Sequence, residues 1–358
     1  MSEDKRMNKK IWLMEGFSSQ RNIIQGIKLF AKENKFDITV FASHSSERNE
    51  ILSVADYSLT EPKEAEERLS FIKKIVRSHG IHHIHTGRHS HWFEENRIAI
   101  ESSGVTLTTG ATGAEWLTLA DEKVTFAQFM EQNGLPVVPS WRVNTLAELK
   151  TYLTSPPFFD SPVCVKPVTG IYGMGFWRFD NNASPMAVFN SPENRLVNPQ
   201  QYIAAASVTE SFKPLVLMPY LPGPEFSVDI LADKGKILAA VGRRKEGAIQ
   251  YLVNEGPAFE LACACAQTMN SDGLVNVQTR NDVHGNPVLL ETNMRPSGGI
   301  GYTLHGGVNL PGLFAAYKLG LMSVGSVIQS ANTSFSPVAV RAMTEVIVYP
   351  ETVSNILN

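Results

Sequence analysis

The chain has 358 residues, more than one ordinary hydrophobic core absorbs, so two or three packed units are expected. Hydrophobic residues make up 43% and charged residues 19%, a globular balance, and a net charge of −3 gives no broad basic field for nucleic acid. The apolar stretch Ile11 to Met14 is too short for a signal-peptide core, no run of about 18 apolar residues suggests a membrane span, and three cysteines (Cys164, Cys263, Cys265) without zinc spacing fit a reducing cytoplasm.

In chain order, Lys10 to Glu15 reads as a strand, followed by Gly16, a Ser18-Ser19 cap and a helix carrying Ile23, Ile24, Ile27, Leu29 and Phe30. Asp37 to Ala42 is a second strand and Ile51 to Tyr57 a third, short one. Glu64 to His79 is an amphipathic helix stopped by Gly80, and strand Ile81 to His85 follows. This alternation predicts a parallel sheet covered by helices on both faces. The first turn offers only Gly16 and no GxGxxG, which argues against a dinucleotide site. Asp121 is expected to cap a helix running to Gln132, and another helix spans Leu146 to Leu153. Strands then fall at Pro162–Pro167 and Phe176–Phe179, and Asp180 to Pro199 reads as loop. Further strands are expected at Leu215–Met218, Glu225–Ala232, Lys236–Gly242, Gly273–Thr279 and Pro287–Asn293, with a helix at Ala258–Met269. A closing helix starts near Leu310, and the tail adds apolar strands at Val338–Ala342 and Val346–Tyr349.

The strongest chemical signal is the run Glu291-Thr-Asn293-Met-Arg295-Pro-Ser-Gly-Gly. On a strand, Glu291, Asn293 and Arg295 project from one face, offering two oxygens for a hard cation and a guanidinium for phosphate. Gln278, on the preceding strand, adds another oxygen if the two strands pair. The second signal is Lys166, at the end of the apolar strand Val163-Cys164-Val165, where an ammonium needs an anion or water beside it. Gly170, Gly173 and Gly175 follow within six residues and let backbone N–H groups approach a phosphate; the segment lacks the Gly-Lys-Ser/Thr ending of a P-loop. Arg243, in Arg243-Arg244-Lys245 after a strand, reads equally as an anion site or a solvated turn. His79, His82, His83, His85, His89 and His91 form a cluster with no partnering Asp or Cys pattern, more consistent with lining a crevice than with a zinc site. Thr86-Gly87-Arg88, at the strand end, is placed to face an acceptor pocket.

In this order, from about Leu119 to Leu319, these motifs resemble the ATP-grasp superfamily, in its carbamoyl-phosphate-synthetase and biotin-carboxylase-like branch. The resemblance implies an α/β ATP-grasp fold: a Rossmann-like domain over 1–117, a subdomain with the Gly-rich loop over 118–214, and a subdomain with the metal site over 215–358. It also implies ATP and Mg²⁺ as cofactors. Lys123, Lys166 and the loop residues Gly170, Gly173, Met174 and Gly175 would meet the phosphates. Met218, Pro219, Tyr220 and Leu221 would hold adenine, and Glu225, seven positions after Met218, the ribose. Gln278, Glu291 and Asn293 would ligate metal, and Arg295, Lys166 and Arg243 would assist catalysis. The loop departs from the family by carrying Ile171, Tyr172 and Met174. The implied activity is ligation of a small-molecule carboxylate to an amine through an acyl phosphate, without nucleic acid or membrane, with homo-oligomerisation left open. A phosphotransferase on the same fold and an ATP sensor without turnover are the rival readings.

Overall fold

The computed structural model describes residues 8–158, 161–169 and 174–343. Contacts divide the chain into two compact units that interleave in sequence. Unit 1 comprises Met1–Leu117, Phe226–Val277 and Thr292–Asn358, and unit 2 comprises Thr118–Glu225 and Gln278–Glu291.

Unit 1 begins with β1 (Lys9–Leu13), β2 (Ile38–His44), β3 (Tyr57–Thr60), β4 (His83–His85) and β5 (Thr106–Thr108). They form one sheet in the order β3-β2-β1-β4-β5, with every pairing parallel. Side chains alternate across a strand, so consecutive residues reach opposite faces. Ile11, Leu13, Val40 and Ala42 join one core cluster, whereas Trp12, Phe41 and Ile84 join another. Apolar residues on both faces are what a parallel sheet covered on each side requires. Helix Ala65–His79 ends at Gly80, whose φ of 64° is the left-handed C-cap that glycine adopts without strain.

The expected third strand is corrected. Ile51 lies in the short helix Asn49–Leu52, and the strand begins only at Tyr57. Ile51 is buried in the same cluster as Ile23 and Ile27, so tertiary packing overrides its β-branched preference. Likewise, Asp121 closes helix Ala114–Asp121. Glu122 is the cap of helix Lys123–Gln132, accepting from the Val124 and Thr125 amides.

Helix Ser19–Asn34 packs against helix Leu310–Lys318 through small residues. Asn309 donates through Nδ2 to the Gly26 carbonyl at 2.8 Å. Its Oδ1 accepts from the Gly312 amide, also at 2.8 Å. A methyl on Gly312 would sit 2.2 Å from Phe30 Cβ, so only glycine permits this approach.

Unit 2 holds β6 (Trp141–Val143), β7 (Val163–Pro167), β8 (Trp177–Phe179), β9 (Leu196–Val197) and β10 (Leu215–Pro219), in the order β6-β10-β7-β8-β9. The segment expected to be loop from Asp180 to Pro199 contains helix Ala187–Asn190 and β9. A third sheet runs β15-β14-β11-β12-β13-β16, formed by β11 (Glu225–Asp233), β12 (Lys236–Glu246), β13 (Ile249–Val253), β14 (Gly273–Asn281), β15 (Pro287–Asn293) and β16 (Ala339–Val340). The expected segment at Val346–Tyr349 lies outside the described residues.

Within unit 1, Gly110 fixes the path of the chain after β15. Its φ is +96°, and an added Cβ would lie 2.0 Å from the Met294 carbonyl oxygen. Gly110→Ala combines a strained backbone with a backbone clash and should cost about 3 kcal/mol. Urea denaturation checks this; an unchanged midpoint would mean that the Met294 segment yields freely.

Candidate active site

The sequence of β7 separates two environments by simple alternation. Val163 and Val165 face one apolar cluster with Leu215 and Leu217. Cys164 and Lys166 face the other way, opposite Met218 and Val216 of antiparallel β10. On that second face, Val138, Cys164, Met218 and Leu221 form a buried apolar group edged by Phe176, Tyr220, Val288 and Leu290. Burial pushes the Cys164 thiol up to about 12, so it is a neutral, inert part of the wall. Residues 288–290 reach this group because Val138 N donates to Leu289 O (3.1 Å) and Leu289 N to Pro136 O (2.9 Å).

Lys166 stands beside this apolar group. Burial lowers its pKa from 10.5 to about 8, opposed chiefly by the Glu291 carboxylate and reinforced by the positive charge of Lys123. Lys123 opens its helix as expected, but it is only 8% exposed. Its Nζ donates to the Val168 carbonyl at 3.3 Å. A helix's first turn disfavours a cation, and burial makes this placement costlier still. Lys166 is half-buried and Lys123 buried, and their positive charges oppose each other.

Tyr220 follows β10, with the Arg178 guanidinium 4.6 Å from its ring centre and that of Arg280 at 5.9 Å. Its amide donates to Pro162 O at 2.8 Å. Glu225 heads β11, and its Oε2 lies 3.8 Å from Arg280. These arginines escaped the sequence reading because neither sits in a motif; only their strand positions, Arg178 opposite Cys164, would have indicated them.

Gln278 and Glu291 lie on neighbouring strands β14 and β15, as the oxygen-ligand expectation required. Glu291 and Asn293 are two apart on β15 and share a face. Arg295 does not share it: β15 ends at Asn293, and Arg295 lies in the following loop, its guanidinium 4.7 Å from the Phe17 ring centre. The proline at 296 and the Ser-Gly-Gly after it end the alternation that the sequence suggested. In the glycine loop, Met174 is 60% exposed and Gly175 (φ +74°) packs on Pro167, while Gly170 and Gly173 lie outside the described residues.

Arg243 occupies neither of its two expected environments. It is buried, with Nε on Asp229 (2.8 Å), Nη1 on Gln250 (2.6 Å), and Nη2 on Ser227 (2.9 Å) and Ser297 (2.8 Å). Asn276 Nδ2 donates to Asp229 Oδ1 at 3.1 Å and completes the network. So engaged, the guanidinium ties Ser297, in the loop after β15, to the sheet rather than facing an incoming anion. Arg243→Ala would leave Asp229 buried and uncompensated, and should cost about 3–5 kcal/mol of stability. Thermal unfolding measured beside activity decides: lost turnover with full stability would restore Arg243 to direct chemistry.

The histidines disperse. His82 Nδ1 accepts from the Lys10 amide at 3.0 Å. His83 and His85 are buried beside Thr106 and Thr108 under the edge of Phe314. Among the described residues, no group of three or more His, Cys, Asp or Glu side chains is arranged to hold a metal ion. No described helix is long and apolar enough to cross a membrane.

A parallel sheet followed by two further sheets makes the chain α/β, and its structural neighbours show the fold to be that of ATP-grasp proteins. Solved structures agree. An L-amino acid ligase from Bacillus licheniformis superposes with a TM-score of 0.59 at 15% identity, covering 88% of this chain and 75% of its own. N5-carboxyaminoimidazole synthetase from Staphylococcus aureus gives 0.62 at 14% identity, covering 89% and 80%. The biotin carboxylase domain of Hydrogenobacter thermophilus 2-oxoglutarate carboxylase gives 0.56 at 18%, covering 87% and 70%. Residues 211–346 match the profile of a family described as ATP-grasp in the biosynthetic pathway with Ter operon. No curated protein matches the chain.

Proposed function

We propose that this protein is an ATP-dependent ligase that activates a small carboxylate as an acyl phosphate for attack by an amine. The observation that carries the reading is Lys166: a half-buried ammonium, its pKa lowered to about 8, beside an apolar group and in the field of Glu291 and Lys123. ATP fits that combination, with its base on the Val138, Cys164, Met218 and Leu221 surface and its phosphates relieving the two lysines. The donor set Gln278, Glu291 and Asn293 is all oxygen, the chemistry that Mg²⁺ prefers. Bound there, Mg²⁺ would supply charge neutralisation at the β- and γ-phosphate oxygens.

The chain's own groups then have distinct tasks. Lys166 and Lys123 hold phosphate oxygens as negative charge shifts toward the β–γ bridge. Glu225 accepts from the ribose hydroxyls. Arg295 offers a guanidinium to the carboxylate or to the transferring phosphoryl group, and Arg243 holds its loop through Ser297. A carboxylate oxygen attacks the γ-phosphorus, the bond to ADP breaks, and the amine next displaces phosphate from the acyl carbon. Of the neighbours, the L-amino acid ligase bears the name closest to this reaction class.

The test is a panel of amino acids and small carboxylic acids with Mg·ATP, scored for ADP release and, with hydroxylamine present, for hydroxamate. ADP together with hydroxamate supports the ligase. ADP with a phosphorylated hydroxyl and no hydroxamate would make the protein a phosphotransferase. Nucleotide binding without ADP release under any acceptor would make it a sensor.

A further inference from the structure

The parallel sheet of unit 1 reverses its strand order at β1: the chain moves outward through β2 and β3 on one side, and through β4 and β5 on the other. In open α/β sheets, the crevice at the carboxyl ends of the two strands flanking such a reversal is where small molecules bind. Here a cavity of about 300 Å³, including the part open to solvent, lies at that place. Its walls are mainly apolar, from Leu13, Met14, Phe17, Ile23 and Pro296, and His85 of β4 lines it as well.

Among the buried side-chain nitrogens and oxygens of the wall, one lacks a hydrogen-bond partner. Gln20 accepts from the Gly16 amide (3.1 Å) and donates to the Leu13 carbonyl (3.0 Å). His85 is 3% exposed, and its Nε2 is buried without a hydrogen-bond partner. A chain of hydrogen bonds settles what that nitrogen offers. The Thr106 hydroxyl donates to the His82 carbonyl (3.2 Å), so it must accept from His83 Nδ1 (2.7 Å). His83 is held neutral by burial, so its Nε2 accepts the Thr108 hydroxyl proton (2.9 Å). Thr108 in turn accepts from His85 Nδ1 (3.1 Å). His85 is also neutral, burial having lowered its pKa to about 4, and so Nε2 carries a lone pair and no proton.

We infer that unit 1 carries a small-molecule pocket at the β1/β4 crevice, for a slim, mainly apolar group bearing one O–H or N–H donor that pairs with His85 Nε2. A buried acceptor left unpaired is costly, and apolar walls reward a body of matching shape, so the donor sets the selectivity of the site. The pocket stands without the ligase reading.

Phenol and fluorobenzene, nearly equal in shape, differ in this donor and serve as probes on the full-length protein without nucleotide. With ¹⁵N-labelled histidines, and the His85 signal assigned from a His85→Phe variant, the free protein should show an unprotonated Nε2. Phenol should shift that resonance and bind about tenfold more tightly than fluorobenzene, the usual scale for one hydrogen bond into a dry site. The preference should vanish in His85→Phe; should that variant fail to fold, the shift and affinity ratio in the wild type still decide. Equal affinities, binding of neither probe, or a protonated Nε2 in the free protein would each overturn the inference. Because ATP is absent, none of these outcomes depends on whether the chain ligates.

Discussion

Glu291→Gln should keep nucleotide affinity and lose roughly a hundredfold in turnover, the scale of one electrostatic contact to the reacting centre. The substitution preserves size and one carbonyl oxygen, and removes only the charge. Base and ribose contacts assigned to Met218–Leu221 and Glu225 are untouched, so binding of ADP should persist. Two effects combine at the phosphates: weaker Mg²⁺ attraction, and loss of the carboxylate that favours the charged form of Lys166. Calorimetric binding of ADP beside steady-state ADP release tests both halves. Normal turnover would remove Glu291 from the metal set; lost ADP binding would show that its role is structural.

Lys166→Met should weaken ATP binding by about 2 kcal/mol, roughly thirtyfold, as expected for a charge-assisted hydrogen bond to phosphate. The wild-type pH dependence has a definite sign. With a pKa of about 8 in the free protein, Lys166 loses its proton above that pH, whereas phosphate favours the charged form. ATP binding therefore takes up a proton in this range, and affinity should fall by up to about tenfold per pH unit between 8 and 9.5. The variant should show no such slope. Stability runs the other way. The folded pKa lies below the unfolded 10.5, so the unfolded chain binds more protons between the two values, and the cost of burying Lys166 shrinks as pH rises through that window. Lys166→Met should thus bind ATP poorly while unfolding at a temperature no lower than wild type. A joint loss of both would mean that Lys166 holds the fold.

Residues whose role follows from strand alternation were legible in the sequence. Lys166, Gln278, Glu291 and Asn293 lie on the strands expected for them, because period-two patterns are local and survive folding. Arg295 shows the limit: alternation was extended past Asn293, where Pro296 had already ended the strand. Ile51 failed for a different reason, since a single buried β-branched side chain serves a helix as well as a strand when its neighbours supply the core. The short strands β5, β6, β9 and β13 span two to five residues and gave too little pattern to see. Arg243 is the instructive case, because a basic run after a strand looks solvated or ligand-facing. Its partners Ser227 and Asp229 on β11, Gln250 on β13 and Ser297 in the loop after β15 come from three other stretches of the chain, and no local spacing rule connects those stretches to Arg243.

The clasp between Gly26 and Asn309 has a consequence for how the protein is made. These residues are 283 positions apart, so the face of the helix that packs on Leu310–Lys318 waits for its partner until that length of chain has been made. At a synthesis rate of 5–20 residues per second, that delay is about 14–57 s. Meanwhile Thr118–Glu225 emerges whole with its own apolar clusters. Over that interval the parallel sheet can cover Ile23 and Ile27, while the face of the helix that later meets Leu310–Lys318 stays uncovered.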